Sequence, residues 1–342
     1  MLVLTGAFIL LFIIFWRFLT DYKPPILGVY SQPSRLHSLK KTFIYYILNW
    51  RKQQKLKSDG TGQTAGYGVK SRSNAEDMDK PQPLSDKHPK AVDAVYFNGC
   101  NSDGFYLVAA TARRHGGLIQ TLLYIRIPDI GLLELPSLPD TSLYTDQPMV
   151  YSAGGLSINV EEAMKKWSLK FKGSLRQVKA DGSTSDVDVN FDLLWSATTP
   201  VFDFDTDMDT NAMVEAIACE PWSQKFFTNL KKLIIGYVFY PDGSMRTVDW
   251  TDLELHTIGE DGQDPDDFSF SFKAGPDVFR VKCHVEQRAI FYMGDNWEVT
   301  LVARITFTRD EWSLYDCGKH SFPAIKYSVL NIDLDKVSNK CD

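Results

Sequence analysis

Residues 187–195 read VDVNFDLLW, and the alternate positions are apolar or aromatic: Val187, Val189, Phe191, Leu193 and Trp195. Side chains of a β-strand alternate between two faces, so this spacing places all five on one face of a strand. An upstream run over 167–178, WSLKFKGSLRQV, alternates in the same way. The ADG at 180–182 is typical of a tight turn between two strands. We therefore predict an antiparallel hairpin here.

The same pattern of alternating runs and short turns recurs along the chain. The turn sequences NSDG (101–104), YPDG (240–243) and KAGPD (273–277) each separate two strand-like runs. A last long run, NWEVTLVARITFT, alternates over 296–308. Many strands joined by Gly/Asp turns, with little helix between them, predict a mainly β protein of sandwich or barrel type.

One helical interlude is predicted at about 209–232. The stretch NAMVEAIACEPWSQKFFTNLKK (211–232) has helical spacing, and Thr210 or Asp209 is suited to cap its start. Pro221 stands where a second helix would begin, its favoured first-turn position.

The 342 residues divide into a basic head and an acidic body. Residues 1–90 hold 14 Lys/Arg and 6 Asp/Glu, and residues 91–342 hold 23 and 37. The acidic body argues against nucleic acid, whose phosphates need a basic surface. The five cysteines include no C-x-x-C pair, which fits a reducing compartment better than secretion.

The first 20 residues predict a single-pass transmembrane anchor. LVLTGAFILLFIIFW (2–16) carries no charge, and nothing basic precedes it as it would in a cleaved signal peptide. The nearest basic residues follow the apolar run, so the body is expected to face the cytoplasm. These residues are Arg17, Lys23, Arg35, Lys40 and Lys41.

The rest of the chain divides by composition. Residues 21–52 form a basic juxtamembrane segment, in which TFIYYILNW (42–50) is either an interfacial helix on anionic lipid or a core helix packed on the body. Residues 53–90 are polar and are predicted to be a flexible linker. We expect a first β half with its helical insert at 91–232, a second at 233–310, and a divergent tail at 311–342.

The stretch FDFDTDMD (202–209) places four aspartates at alternate positions. An EF-hand loop needs Gly at its sixth position and Glu at its twelfth, and counting from Asp203 or Asp205 meets neither requirement. Asp207 and Asp209 suit a helix start, where the helix dipole favours negative charge. We therefore predict a strand-to-helix transition and no metal site.

No catalytic residue is predicted. The adjacent Cys283 and His284 point to opposite faces if they lie in a strand, which disfavours a nucleophile–base pair. The histidines are isolated in the sequence and form no recognisable metal or catalytic motif: His37, His88, His115, His256, His284 and His320.

Five aromatic residues are candidates for an apolar ligand cavity. A β-barrel of this size can hold a small lipophilic molecule, although ordinary core packing is the favoured explanation for any one of these residues. The candidates are Trp167, Trp195, Trp250, Tyr292 and Trp297.

Four stretches of the body are distinctive: HPKAVDAVYFNGCNSDGFYLV (88–108), LLELPSLPDTSLYTD (132–146), FDFDTDMDTNAMVEAIACEPWSQKFFTNLKK (202–232) and GYVFYPDG (236–243). Together they resemble the N-terminal region of animal phosphoenolpyruvate-synthase-like proteins. That region is similar to the AttH and carotenoid-hydratase group. The resemblance covers about residues 20–310 and implies an antiparallel lipocalin-like double barrel behind a membrane anchor.

Two departures from the family pattern bear on function. The ATP-grasp and phosphohistidine domains that follow the barrels in such relatives have no counterpart here. Lys231 and Lys232 run directly into Leu233, where the family continues with a His- and Tyr-rich segment, so we expect an internal deletion and an incomplete double barrel. No family catalytic residue is carried over.

Three hypotheses follow. The first is a membrane-anchored, lipocalin-like binding or regulatory module for a lipophilic ligand or a partner, with no cofactor and no catalysis of its own. The second is an enzyme fragment, either an isoprenoid hydratase- or isomerase-like barrel or an accessory part of an ATP-dependent phosphotransferase. The third is a membrane tether that only docks a partner.

Overall fold

The protein is mainly β, as predicted, with antiparallel sheets and few helices. The computed structural model describes residues 2–24, 31–59, 75–179, 181–202, 207–220, 222, 236–240, 242–253, 265–293, 301–315 and 324–335. Within these residues the helices are α1 (Leu2–Thr20), α2 (His37–Asp59), α3 (Ala75–Met78) and α4 (Thr210–Ala218), with a 3-10 turn at His115–Gly117.

The strands fall into two groups along the chain. The first nine are β1 (Asp93–Cys100), β2 (Tyr106–Arg113), β3 (Leu118–Ile127), β4 (Gly131–Glu134), β5 (Ser142–Tyr144), β6 (Tyr151–Ala153), β7 (Leu156–Glu162), β8 (Lys166–Val178) and β9 (Thr184–Ser196). The other six are β10 (Tyr237–Phe239), β11 (Met245–Asp252), β12 (Asp267–Ala274), β13 (Asp277–Met293), β14 (Leu301–Tyr315) and β15 (Ala324–Asp335).

The first sheet contains nine strands in the order β1-β2-β3-β4-β8-β7-β6, with β5 on β3 and β9 on β8. Strand β8 is the central strand of this sheet. Strand β9 pairs with one edge of β8 along its whole length, and β7 and β4 both pair with the other edge of β8. The second sheet is a simple meander from β10 to β15.

The predicted turns are confirmed. NSDG connects β1 to β2, the turn around Gly182 connects β8 to β9, the turn around Gly243 connects β10 to β11, and KAGPD connects β12 to β13. The glycine of each turn has a positive φ, a conformation that costs glycine little.

The two sheets share one apolar core. Phe307 of β14 and Ala289 of β13 are buried in the same cluster as Tyr106 and the interior residues of the first sheet. Polar contacts cross the same junction: the Tyr124 hydroxyl donates to the Ile290 carbonyl over 2.9 Å, and the Thr141 hydroxyl donates to the Tyr292 carbonyl over 2.7 Å. The sheets are therefore fastened together by burial and by hydrogen bonds to the backbone.

The helical interlude is confirmed at α4. Asp209 is its N-cap, and the Asp209 carboxylate accepts a hydrogen bond from the Asn211 backbone N–H at 2.6 Å. Pro221 and residues 223–232, where a second helix was predicted, lie outside the described residues.

The helices α2 and α4 pack against each other through a small apolar cluster made of Ile44, Leu48, Val214, Ile217 and Trp222, with Phe18 and Leu19 at its edge. One face of α2 thus packs on the body, which is one of the two alternatives predicted for residues 42–50. Within the described residues no helix combines the length and hydropathy of a membrane span. The transmembrane character of residues 1–20 therefore stays a prediction.

Two boundaries differ from the predicted ones. Helix α2 continues to Asp59, into the segment predicted as linker, and part of 75–90 is tied to the first sheet. Gln82 donates its N–H to Asp93, and the Asp79 carboxylate accepts from the Met164 N–H. The polar composition of this segment did not predict these contacts, because they are formed by backbone N–H groups and carboxylates.

The C-terminal boundary differs as well. In the second sheet, β14 continues past residue 310, and β15 lies within the segment predicted as a divergent tail.

Candidate functional site

The predicted aromatic residues separate into two places. Trp167 and Trp195 are register partners in β8 and β9, and both rings lie near Phe97, at centroid distances of 5.4 and 5.8 Å. Trp250 lies in β11 and Tyr292 in β13, both in the other sheet, and Trp297 is outside the described residues. The structure therefore brings two of the five together.

These two tryptophans differ in exposure. Trp167 is 6% exposed and belongs to the core, whereas Trp195 is 40% exposed at the edge of the sheet. Phe97 lies between them and is partly buried. We call Phe97, Trp167 and Trp195 the aromatic group; it runs from the interior of the sheet to its surface.

A polar network adjoins the aromatic group. The Tyr151 ring lies 6.4 Å from Trp167, and its hydroxyl donates to the Asp93 carboxylate at 2.8 Å. The same carboxylate forms an ion pair with Arg113, which is buried. Burial and the Asp93 carboxylate both raise the pKa of the Tyr151 phenol, so it stays neutral. This network fixes β6 to β1 and β2.

Two buried hydroxyls lie on the same face of the sheet. The register pairs Val95 with Thr111 and Thr111 with Thr121, so these residues share the face that carries Phe97. Both threonines are fully buried, and neither hydroxyl oxygen has a hydrogen-bond partner among the described residues. An unpaired buried hydroxyl costs about 1–3 kcal/mol, which a polar ligand atom or water would relieve.

A second cluster lies between α2 and α4, where His37, Glu215 and Cys219 meet. The His37 Nε2 is 3.0 Å from the Glu215 Oε1, and the Cys219 Sγ lies 4.0 Å from the His37 Nδ1 and 3.9 Å from the Glu215 Oε1. The candidate ligand atoms of the three side chains all lie within 4.8 Å of one another. We call this the His–Glu–Cys cluster.

The local structure explains the cluster. Glu215 and Cys219 are four residues apart on α4, which places them on one face of the helix. His37 is the first residue of α2, and the packing of Ile44 and Leu48 against α4 brings it to that face.

Two lysines border the cluster and shape its electrostatics. The Lys41 ammonium lies 2.7 Å from the Glu215 Oε2. Burial raises the pKa of the Glu215 carboxyl, but the hydrogen bonds and charges of His37 and Lys41 outweigh it and hold that pKa at about 2. Glu215 is therefore a carboxylate at neutral pH.

Lys40 is fully buried beside the same cluster. Its ammonium donates to the Asp21 carbonyl and lies 5.3 Å from the centre of the Trp222 ring. Burial lowers the pKa of the Lys40 ammonium, and the attraction of Asp21 and Cys219 opposes that effect. Lys41 thus pairs with a carboxylate of the body while its side chain stays partly exposed, and Lys40 is buried beside Trp222.

The His–Glu–Cys cluster offers an imidazole nitrogen, a carboxylate oxygen and a thiol sulfur. Such a set can bind a borderline-soft metal ion, or it can pair a thiol with an imidazole base oriented by a carboxylate. Sequence reasoning missed the cluster because 182 residues separate His37 from Cys219. The only local signal was the i, i+4 spacing of Glu215 and Cys219.

The other predicted chemistry falls elsewhere. Asp203 and Asp205 lie outside the described residues, and Asp209 acts as the helix cap already described. On β13, Cys283 is buried, whereas His284 is partly exposed. The His284 Nδ1 lies 2.8 Å from the Asp267 Oδ1 of the neighbouring strand β12. His284 and Cys283 therefore do not form a pair.

The N-terminal helices present a continuous apolar surface. Nine consecutive residues of α1, from Phe8 to Trp16, are 49–73% exposed. On α2 the exposed residues Leu39, Phe43, Tyr46 and Trp50 are spaced along one face, opposite the buried Ile44 and Leu48. We call these four residues the α2 stripe.

Comparison with known proteins places the chain in a family without assigning an activity. The chain matches no curated protein and no solved structure. A family model described as a family of unknown function, DUF8627, matches residues 3–235. The match covers α1, α2, the whole first sheet and α4, which is more than half of the chain, and the protein belongs to this family.

Proposed function

We propose that the protein is a membrane-anchored β module that binds a lipophilic ligand with its first sheet. The observation that carries the membrane anchor is the exposed apolar surface of α1. A run of nine large apolar side chains in water is unfavourable by about 25 cal/mol for each Å² of apolar surface, and a lipid bilayer removes that cost. The body lies on the cytoplasmic side in this proposal.

The α2 stripe supports a lipid partner. Tyr46 and Trp50 are aromatic residues of the kind found at headgroup depth, while the opposite face of α2 packs on α4. Exposed cations lie close to both helices and suit anionic headgroups: Arg17, Lys23, Arg35 and Arg51. One face of α2 thus contacts lipid and the other holds the body.

The ligand site we propose is the aromatic group together with Thr111 and Thr121. Aromatic side chains give apolar contact, and two unpaired hydroxyls on the same face suit a ligand with a single polar end. The resemblance to AttH and carotenoid-hydratase proteins supports a lipocalin-like double barrel with an isoprenoid-like ligand. The two antiparallel sheets with a shared core are compatible with it.

Flotation with vesicles tests the anchor. The full chain is mixed with phosphatidylcholine vesicles containing phosphatidylserine, and we expect it to float with them in a density gradient. The double variant Leu10→Asp, Ile13→Asp should lose flotation, since each buried carboxylate costs about 2.5–3.5 kcal/mol.

The matched control for flotation is Tyr144→Asp, at an exposed position on β5. It should float like the unmodified chain. A full chain that stays at the bottom of the gradient, or a double variant that floats as well as the control, contradicts the anchor.

Tryptophan fluorescence tests the ligand site. Retinol, which has a long apolar body and one hydroxyl, should quench the emission of the full chain, and Trp195→Ala should remove most of that quenching. Trp250→Ala is the control, because Trp250 is similarly exposed but lies in the other sheet. Equal quenching in both variants, or no quenching, contradicts the site.

A second substitution separates hydroxyl recognition from apolar contact. Thr111→Val keeps the shape of the side chain but removes the hydroxyl, so retinol affinity should fall about tenfold. The same variant should be as stable as the unmodified protein or more stable, because an unpaired buried hydroxyl is lost. Unchanged retinol affinity in Thr111→Val contradicts a role for this hydroxyl in binding.

A further inference from the structure

We propose that the His–Glu–Cys cluster is a zinc site in which His37, Glu215 and Cys219 are the protein ligands. Zinc binds imidazole nitrogen, carboxylate oxygen and thiolate sulfur at about 2.0–2.3 Å, so tetrahedral ligand atoms lie about 3.3–3.6 Å apart. With one ligand atom taken from each side chain, the three atoms lie within 4.8 Å of one another, and the Cys219 Sγ is 3.9 Å from the Glu215 Oε1. Small rotations of the side chains would complete the geometry.

The charges around the cluster are compatible with a divalent cation. A zinc ion, one thiolate and one carboxylate sum to zero charge, so the bound site does not repel Lys40 and Lys41. Lys41 holds the Glu215 Oε2 and leaves Oε1 facing the other two ligands. Binding displaces the Cys219 thiol proton to solvent as the zinc–sulfur bond forms.

The position on α4 also favours a cation. Cys219 is the C-cap residue of α4, where the backbone carbonyls at the helix end carry partial negative charge. That position disfavours a free thiolate but favours a positively charged ion. The helix end therefore supports zinc over an activated nucleophile.

Burial separates the metal from the catalytic alternative. Cys219 is 2% exposed and His37 is 8% exposed, and Trp222 and Phe18 pack nearby. A nucleophilic thiol has to reach an organic substrate, whereas a metal ion needs only a narrow path. Three protein ligands would leave one tetrahedral position for water or another donor.

The site would fasten the N-terminal helices to the body. His37 opens α2, and Glu215 and Cys219 lie on α4, so one zinc ion would crosslink the two helices. It would add to the apolar packing of Ile44 and Leu48 against α4. This role does not depend on a ligand in the first sheet.

Metal titration of the full chain in detergent tests the site. Zinc should bind in a 1:1 ratio, measured by competition with a chromophoric chelator and by elemental analysis. Cobalt in place of zinc should show the near-ultraviolet charge-transfer band of a thiolate ligand and the visible bands of a tetrahedral ion. Zinc should also raise the melting temperature, and a chelator should reverse that rise.

Variants identify the ligands. Cys219→Ser, His37→Gln and Glu215→Gln should each weaken zinc binding at least tenfold, and Cys219→Ser should abolish the charge-transfer band. Cys283→Ser is the matched control, a buried cysteine next to a histidine on β13, and it should leave affinity and spectrum unchanged.

If a variant fails to fold, the metal titration of the unmodified chain still tests the site. Absence of 1:1 zinc binding, or a cobalt spectrum without thiolate ligation, overturns the proposal. So does a Cys219→Ser variant that binds zinc as tightly as the Cys283→Ser control.

Discussion

Single ionised side chains hold the helices to the body, and Glu215 is the centre of these contacts. Its carboxylate accepts from Lys41 and from His37, two residues near the start of α2. Its pKa of about 2 lies below the ordinary value of 4.5, so the folded state favours the charged form. The stabilisation is complete above about pH 4.5 and is lost as the pH falls through about 2.

Glu215→Gln tests this contribution. At pH 7 we expect a loss of about 1–2 kcal/mol in the free energy of unfolding, a figure reduced for the partial exposure of the group. The difference from the unmodified protein should shrink as the pH falls below 4.5. Denaturant unfolding between pH 7 and pH 3 measures both effects.

The control for this prediction is Glu162→Gln. Glu162 also pairs with a lysine, Lys165, but both side chains are solvent-exposed. Its effect on stability should be much smaller at every pH. A Glu215→Gln deficit that does not change with pH would contradict the assigned cause.

At the scale of elements, hairpins with short turns organise both sheets. The β6–β7 turn consists of Gly154 and Gly155, both with positive φ, which matches the tight turns that suit the twist of paired strands. An added Cβ on Gly155 would lie 2.7 Å from the Lys172 carbonyl oxygen. This turn therefore requires glycine for its backbone conformation and for its contact with β8.

Gly155→Ala should destabilise the protein by about 1–3 kcal/mol, because it combines a strained φ with a clash against backbone. Gly99→Ala is the control: Gly99 lies in β1, has no positive φ, and an added Cβ meets nothing within 4 Å. We expect the control to change stability by about 0.5 kcal/mol or less. Thermal unfolding followed by circular dichroism compares the two, and equal stabilities would contradict the turn assignment.

For the molecule as a whole, stability depends on the junction between the two sheets. Phe307 of β14 is fully buried in the core shared with the first sheet, and its ring lies 5.3 Å from that of Tyr106. Arg126 and Glu286 form an ion pair across the same junction at 3.0 Å. Unfolding of one sheet would expose the core of the other.

Phe307→Ala should cost about 3–5 kcal/mol, as expected for removal of a large buried side chain. Because the cavity opens between the sheets, both should unfold at lower denaturant concentration. Ile290→Ala, at an exposed position of β13, is the control and should have little effect. Denaturant unfolding monitored by tryptophan emission and by circular dichroism tests this, and a change confined to one signal would contradict a shared core.

The local elements follow from short stretches of the amino-acid sequence. Alternation in VDVNFDLLW and WSLKFKGSLRQV specifies two strands, and the turn around Gly182 specifies their hairpin, because strand periodicity and turn chemistry act between neighbours in the chain. The start of α4 at Asp209 was predictable for the same reason, since a cap and its helix are adjacent. These features need no information from distant residues.

The sheet order, the shared core and the His–Glu–Cys cluster depend on contacts between distant parts of the chain. The pairing of β4 with β8 joins residues 42 to 46 positions apart, and His37 meets Cys219 across 182 positions. The fold also places Trp250 and Tyr292 in a different sheet from Trp167 and Trp195, although the sequence made all four equal candidates for one cavity. Such contacts depend on which apolar faces bury each other, and periodicity within one segment carries no information about the partner of that segment.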